Sequence, residues 1–365
     1  MAINNLKTGL VYRNPFPECR SLHTWHPTLA ILEGGELLAA FDRGQAIASG
    51  DYRAYMSRSS DNGWTWSGPE RIFADQDDRL QREYVRVKRL RDGSLVATGA
   101  RIVPGHENEE SWNHETFGQR PTELILLRSH DEGRTWEGPT VIQPPLAGPF
   151  EICHTVVELD DGRWLWPMSI TRGWDGSAPD GIKAIALVSH DAGRTWPEFV
   201  TLLDSYAQGV MHLECSLAQL PDGRLLSVSW AFDEASGTSR PLPYAISTDG
   251  RTFSAQRPTG VQGETSKLLP LGDDRVLCVY RRTDKPGLWA NVVRIEGDAW
   301  IHLEEAPLWE GATTKMFGER AAGEELAALA LGFPQPHRLP DGDVIVLFWC
   351  REECIHNIRW VRFSV

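Results

Sequence analysis

One octet recurs along the chain and restricts what it can fold into: Ser-x-Asp-x-Gly-x-Thr-Trp. It reads SSDNGWTW at Ser59–Trp66, SHDEGRTW at Ser129–Trp136 and SHDAGRTW at Ser189–Trp196, with a shortened STDGRTF at Ser247–Phe253. Asp and Gly in this order make a tight hairpin turn, and the Ser and Thr hydroxyls can bond the turn backbone. The Trp is expected to bury between neighbouring sheets. Such repetition marks one supersecondary unit used several times.

A second repeat has the form apolar strand, turn, apolar strand. Its copies are His26–Phe41, Tyr84–Gly99, Cys153–Met168, Glu214–Ser229, Thr265–Tyr280 and Phe333–Phe348, spaced 51 to 69 residues apart. Each reads as the first two strands of a four-stranded blade. The octets then fall between the third and fourth strands of blades one to four, and blades five and six lack them. The expected fold is all-β: a six-bladed β-propeller of four-stranded antiparallel blades, one domain over residues 1–365. A ring must close, and Gly9–Arg13 is expected to lie beside Ile358–Val365. Glu319–Leu331 is the one convincing helical pattern.

With 365 residues, 41% of them hydrophobic, the chain can bury a large core. Its net charge of −13 argues against nucleic acid or anionic membranes as partners. Met1–Leu10 lacks a basic region followed by an apolar run, and no stretch approaches a membrane span, so a cytoplasmic protein is expected. The six cysteines, Cys19, Cys153, Cys215, Cys278, Cys350 and Cys354, match no zinc spacing and are expected as reduced thiols. A Cys350–Cys354 disulfide stays open. No cofactor is expected, although His26, His154 and His337 together with Glu151 and Glu214 could bind a metal, and a structural cation in the propeller channel stays open.

In such a fold the start of every first strand and the end of every second strand share one face. The starts offer His23, Trp25 and His26, then Arg82, Glu83 and Tyr84. They continue with Glu151 and His154, His212 and Glu214, Glu264, and finally Phe333 and His337. The ends offer Asp42 with Arg43, Arg101, Arg172, Asp233 with Glu234, Arg281 with Arg282, and Arg351. Five of the six second strands end at or near arginine, which reverses the sign of an acidic chain locally. Arginine recognises planar carboxylates, and the interleaved carboxylates are candidates for acid–base or nucleophilic work. The pattern points to a pocket for a small anionic ligand, an acidic sugar above all. Each arginine taken alone has a plainer reading, a solvated strand end paired to a nearby acid. His26, His154 and His337 taken alone read as structural histidines.

The octet is the Asp box, and here the chain resembles the sialidase superfamily. That resemblance implies a sialidase-type propeller and a carbohydrate substrate. Pro27 matches the proline of the Arg-Ile-Pro that sialidases carry on the first strand, but Trp25 stands where the arginine would be. Asp51 resembles the family's general acid/base and Arg43 its arginine at a strand end. Arg281 fits another. Glu214, in HLECSLAQL, resembles the Glu that activates a tyrosine nucleophile, yet Phe333 occupies the tyrosine's position. The departures make the chain similar instead to the wider group that includes exo-acting arabinanases and some polysaccharide lyases. In arabinanase-like members paired glutamates act as acid and nucleophile, and Glu151 and Glu214 occupy comparable positions.

Three readings follow. The first is an exo-acting glycoside hydrolase releasing a terminal acidic sugar from a soluble oligosaccharide. Glu214 works there with Glu151 or Asp51, and Arg43, Arg281, Arg351 and Arg101 orient the substrate. Trp25, Trp230 and Phe333 serve as apolar walls. The second is a lyase on uronic acid residues, with His26, His154 and Tyr84 moving protons. The third is a non-catalytic sugar-binding propeller, because a fold of this kind hosts many roles.

Overall fold

The computed structural model describes residues 3–16, 19–75, 80–106, 109–310, 329–352 and 354–365. The chain opens on β1 (Asn4–Tyr12). A first sheet follows with β2 (His23–Ile31), β3 (Leu37–Gly44), β4 (Arg53–Ser59) and β5 (Glu70–Arg71). A second comprises β6 (Arg82–Arg89), β7 (Leu95–Ile102), β8 (Thr122–Ser129) and β9 (Glu137–Ile142). The third has β10 (Phe150–Glu151), β11 (Val157–Glu158), β12 (Trp164–Ile170), β13 (Ala184–Ser189) and β14 (Glu198–Leu203). The fourth has β15 (Val210–Gln219), β16 (Leu225–Asp233), β17 (Pro243–Ser247) and β18 (Arg257–Pro258). The fifth has β19 (Gly263–Pro270), β20 (Arg275–Arg282), β21 (Leu288–Glu296) and β22 (Ala299–Trp309). The last contains β23 (Leu331–Arg338), β24 (Val344–Glu352) and β25 (Ile355–Ser364).

The fold class is the expected one, a six-bladed β-propeller of four-stranded antiparallel blades. The third sheet departs from the plain pattern: its first strand is split into β10 and β11, both paired with β12. Residues 152–156, which the sequence reading placed on a strand, run between the two pieces. β1 completes the last sheet beside β25, with Gly9 opposite Trp360, as the closure argument requires. The helix expected at Glu319–Leu331 lies outside the described residues except for its final three, and Leu331 itself opens β23. Among the described residues no helix is long and apolar enough to cross a membrane. All six cysteines are free thiols, Cys350 buried and Cys354 exposed.

The chain forms two compact units. One comprises Met1–Ser111, Arg120–Ile142 and Gln335–Val365, the other Trp112–Gln119 and Gln143–Pro334. In each, sheets pack face to face through alternating apolar side chains. In the first unit Leu38, Ala40 and Met56 meet Val85, Val87, Leu95 and Ile125. In the second, Leu165 and Ala186 meet Leu217 and Leu225, while Val228 and Tyr244 meet Val276, Cys278 and Val293.

The octets are knots of hydrogen bonds more than simple hairpins. In the first three boxes the Ser Oγ accepts the glycine N–H at 2.8–2.9 Å and donates to the Asp Oδ1 at 2.8 Å. The Asp in turn accepts the Thr N–H and the Thr hydroxyl, the latter at 2.6–2.7 Å. These donated bonds hold Asp61, Asp131 and Asp191 down at about 2. The expectation for the tryptophans holds for one of three: Trp196 is buried against Trp166, whereas Trp66 and Trp136 are half-buried.

Closure by β1 depends on a close approach. A Cβ at Gly9 would lie 2.7 Å from the Trp360 ring, which is buried. Gly9→Val is therefore expected to destabilise the fold by about 1–3 kcal/mol through overpacking. The midpoint of urea denaturation checks this, and Leu6→Val, at an exposed position of the same strand, serves as the control.

Candidate active site

Four of the first strands carry a side-chain-bearing residue in the left-handed region: His26 (φ 49°), Glu214 (φ 45°), Thr265 (φ 50°) and Phe333 (φ 55°). In the first three the register with the second strand slips at that point, between Trp25 and Thr28, Leu213 and Ser216, and Glu264 and Lys267. These are bulges. A bulge takes a residue out of the ladder, leaves its backbone polar groups to other partners and re-aims its side chain. Strand periodicity carries no sign of such a slip.

In the second unit the bulges build a site. The freed N–H of Glu214 donates to Glu151 Oε2 at 2.8 Å. The Thr265 hydroxyl donates to Glu214 Oε2, and Thr265 Oγ1 accepts the Phe333 N–H at 3.2 Å. Both carboxylates are half-buried. Burial first, and the Glu214 charge second, hold the Glu151 carboxyl above the usual carboxylate range, against the opposing pulls of the Glu214 N–H and Lys267. The Cys153 thiol also hydrogen-bonds Glu151. One ligand atom each of Glu151, Cys153 and Glu214 lies within 4.8 Å of the others, a spacing that would admit a metal ion. Two features favour a proton site instead. One Glu151 oxygen is already committed to a backbone N–H, and the nearby Lys267 already supplies positive charge. Burial pushes His212 and His337 down to about 4, and neither belongs to that group among the described residues.

Thr265, Lys267 and Cys153 were not among the residues singled out from the sequence. Lys267 left a signal: it is a lone charge inside the apolar run of β19, TSKLLP. Thr265 left none, because its role depends on the bulge.

The first unit holds a separate cluster. Asp42 is fully buried and accepts from Arg86 Nη1 at 3.1 Å and from the Tyr52 hydroxyl at 3.0 Å. His26 Nδ1 lies 3.0 Å from the same Asp42 oxygen and 2.9 Å from the Tyr52 hydroxyl. The Arg86 guanidinium lies over the Tyr84 ring. Burial first, and Asp42 second, push Tyr52 up. His26 and Tyr84 thus belong to one cluster. His154, in the second unit, turns its Nδ1 to the Thr155 carbonyl at 2.7 Å.

The expected arginine cluster is mostly consumed by ion pairs. Arg281, 2% exposed, pairs with the fully buried Glu264 at 2.7 Å and donates to the Leu331 carbonyl. Arg101 pairs with Glu123 at 2.9 Å, Arg172 with Glu234, and Arg282 with Asp284 and Glu305. Arg351 is exposed to solvent. Arg43 stands apart: its guanidinium lies over the Tyr12 and Tyr55 rings, with no carboxylate at ion-pair distance among the described residues.

Asp51 is exposed and accepts the Gln45 N–H at 3.0 Å. Partial burial pushes its pKa up, but bonds from Gln45 and Ser49 outweigh that and hold it below its ordinary value. A general acid at neutral pH needs the opposite shift. The supposed apolar walls are interior packing: Trp25, Trp230 and Phe333 are 3%, 2% and 1% exposed. Trp25 lies among His23, Tyr52 and His356, and Phe333 lies against Lys267.

A family model described as a BNR repeat-like domain matches residues 106–312, more than half of the chain. No curated protein matches it. Among solved structures, a protein of unknown function from Dyadobacter fermentans superposes with a TM-score of 0.77 at 21% identity, over 100% of this chain and 99% of that one. The NanB sialidase of Streptococcus pneumoniae, as its K499G mutant, gives 0.68 at 13% identity over 97% and 70% of the two chains. An α-L-arabinanase of Penicillium chrysogenum, complexed with arabinobiose, gives 0.63 at 16% identity over 94% and 93%. At these identities the likeness is one of fold.

Arg281 is expected to behave as a structural residue. Arg281→Met leaves Glu264 charged and buried, and should cost about 3–5 kcal/mol in urea denaturation. The double variant with Glu264→Gln should recover much of that loss.

Proposed function

The chain belongs to the BNR repeat-like domain family, and from that premise we propose that it is a sialidase-like, exo-acting glycoside hydrolase whose catalytic pair is Glu151 and Glu214. The observation that carries this reading is the meeting of two half-buried carboxylates within 4.8 Å, one of them with a raised pKa. Two carboxyl groups in unequal environments are the machinery of glycoside hydrolysis. Similarity of fold to sialidases and to an arabinanase supports it.

The roles follow from the environments. Glu151, kept protonated by burial and by its neighbour, donates its proton to the leaving glycosidic oxygen. Glu214, with its Oε2 held by the Thr265 hydroxyl, attacks the anomeric carbon. Glu151, now ionised, takes a proton from the water that releases the sugar. Retaining enzymes hold their carboxyls roughly 5–5.5 Å apart and inverting ones roughly 6.5–9.5 Å. A separation within 4.8 Å favours retention. Phe333 cannot supply a phenolic nucleophile, which leaves that task to Glu214.

The anionic character expected of the sugar finds weak support at these carboxylates, because Arg172, Arg281 and Arg282 of the same unit are all ion-paired. Arg43 and Arg351, both of the other unit, have no carboxylate at ion-pair distance among the described residues.

A lyase acting on uronic acid residues is the second reading. It is favoured by His26, Tyr52 and Arg86 gathered on buried Asp42. A lyase product carries a new double bond and absorbs in the ultraviolet, and a hydrolase product does not.

Glu214→Gln should lower kcat by about a thousandfold or more, with the circular dichroism spectrum unchanged. Turnover unaffected by that change would remove the assignment. Proton NMR of the first product should show the anomeric configuration of the substrate. Because Glu151 must carry its proton, activity should fall as pH rises through its raised pKa, later than for an ordinary carboxylic acid. In Glu151→Gln that alkaline limb should vanish from the residual rate on a substrate with an activated leaving group.

A further inference from the structure

Lys267 is a buried cation that no structural pairing explains. It stands on β19 two residues after the bulge at Thr265 and is 1% exposed. Among the described residues its ammonium makes one hydrogen bond, to the Ser266 carbonyl at 3.3 Å, and no carboxylate lies within ion-pair distance. Its other contact is the face of the Phe333 ring, 5.1 Å from the ring centre. Burying an ammonium with so little compensation is costly. Replacement by an apolar side chain of similar length would remove that cost, so the charge itself needs a reason.

The titratable groups around it are few. Glu151 of β10 is the acid whose charge interacts with it, and the Glu151 carboxyl lies within 4.8 Å of that of Glu214, itself held by Thr265 two residues before Lys267; Cys215 and Cys278 are the thiols. Burial pushes the Cys215 and Cys278 thiols up to about 12, so neither offers Lys267 a negative charge. The carboxylate pair remains. The lysine is 1% exposed, so a substrate anion cannot reach the ammonium directly.

We propose that Lys267 is a positioning residue, the fixed countercharge of the Glu151–Glu214 pair, holding one negative charge in the site before any substrate arrives. This rests on the hydrolase reading for its catalytic meaning; its electrostatic one rests on a buried ammonium, unpaired among the described residues, two residues from the Thr265 that holds Glu214, and on the pull it exerts on Glu151. Two adjacent carboxyls that must share one charge in a half-buried site would otherwise tend toward the doubly protonated state, which has no nucleophile. A cation set back behind an aromatic ring favours the singly ionised pair without forming a contact that would immobilise either carboxylate.

The sign of the effect is fixed. Removing the positive charge removes a pull that lowers the pKa of Glu151, so that pKa rises further. In Lys267→Met the alkaline limb of the kcat/KM profile, which Glu151 sets, should move to higher pH by about one unit. Lys267→Arg should hold the profile near its original position. Thermal stability of Lys267→Met should equal or exceed that of the parent, whereas a structural role predicts a loss. Lys267→Gln, which keeps a donor for the Ser266 carbonyl, repeats the test if the methionine variant fails to fold.

Carbon-13 NMR of labelled glutamate carboxyls, with Glu151→Gln and Glu214→Gln for assignment, reads the same titrations without a substrate. Carboxyl titrations that shift upward in Lys267→Met or Lys267→Gln support the countercharge. If they shift while no glycoside is turned over, the countercharge stands and the hydrolase reading fails. Titrations and profile unmoved in both neutral variants overturn the proposal.

Discussion

The Glu214 N–H to Glu151 Oε2 hydrogen bond is the contact on which the site depends. A residue in a regular ladder spends its N–H on the neighbouring strand. Glu214 sits in a bulge with φ 45°, so its N–H is released and finds a carboxylate from the preceding sheet. The next bulge repeats the device with a side chain, as the Thr265 hydroxyl donates to Glu214. The Thr265 oxygen in turn accepts the N–H of Phe333, at another left-handed position. Glu151, Glu214, Thr265 and Phe333 therefore form one relay across four successive sheets. Left-handed backbone at residues with a Cβ costs of order 1–3 kcal/mol each, and persists only where surrounding contacts over-determine it. The bonds of the relay are such contacts.

Environment, more than residue type, separates the roles. Glu151 and Glu214 have the same side chain, but one accepts a neighbour's backbone N–H beside a negative charge, and the other accepts a hydroxyl. Asp51, chemically as able an acid, is held low by its own loop. Arg281 looks like a substrate clamp by position, yet a guanidinium with 2% exposure and a carboxylate at 2.7 Å is a stabilising element first. A strand-end arginine is useful to a ligand only when the protein has not already neutralised it. Arg43, stacked over Tyr12 and Tyr55, and solvent-exposed Arg351 have no ion-pair partner among the described residues and differ from the others in this respect.

Much of this was legible in the sequence, at the level of elements. The octets located the turns between third and fourth strands, the paired apolar runs located the hairpins, and Gly9–Arg13 located the closing strand. All of these are carried by local pattern. The filter on strand ends also selected Glu151 and Glu214, which the structure brings together, because position along a strand is local too. It failed where long-range contact decides. Trp25 and Phe333 were placed at the right depth but face the interior, and Arg101 and Arg281 were placed correctly but carry partners that the strand pattern does not reveal. The split of the third sheet's first strand around residues 152–156, and the bulges, are register events. An alternating pattern of apolar residues does not encode where the alternation will slip.

Lys267 joins these threads. A charge in the middle of TSKLLP would be an error in a strand that serves only the fold, since both faces of β19 are covered. It is tolerable only if the bulge two residues earlier has brought acids near enough to share its field. The bulge and the lysine therefore explain each other. Thr265 turns out of the ladder and reaches Glu214, and the slip in register lies between Glu264 and Lys267. A site built this way is charge-balanced by the protein before any ligand binds. On the proposed hydrolase reading, its selectivity would then come from shape and from hydroxyl hydrogen bonds, and the carboxylate pair would not need to be neutralised by the substrate.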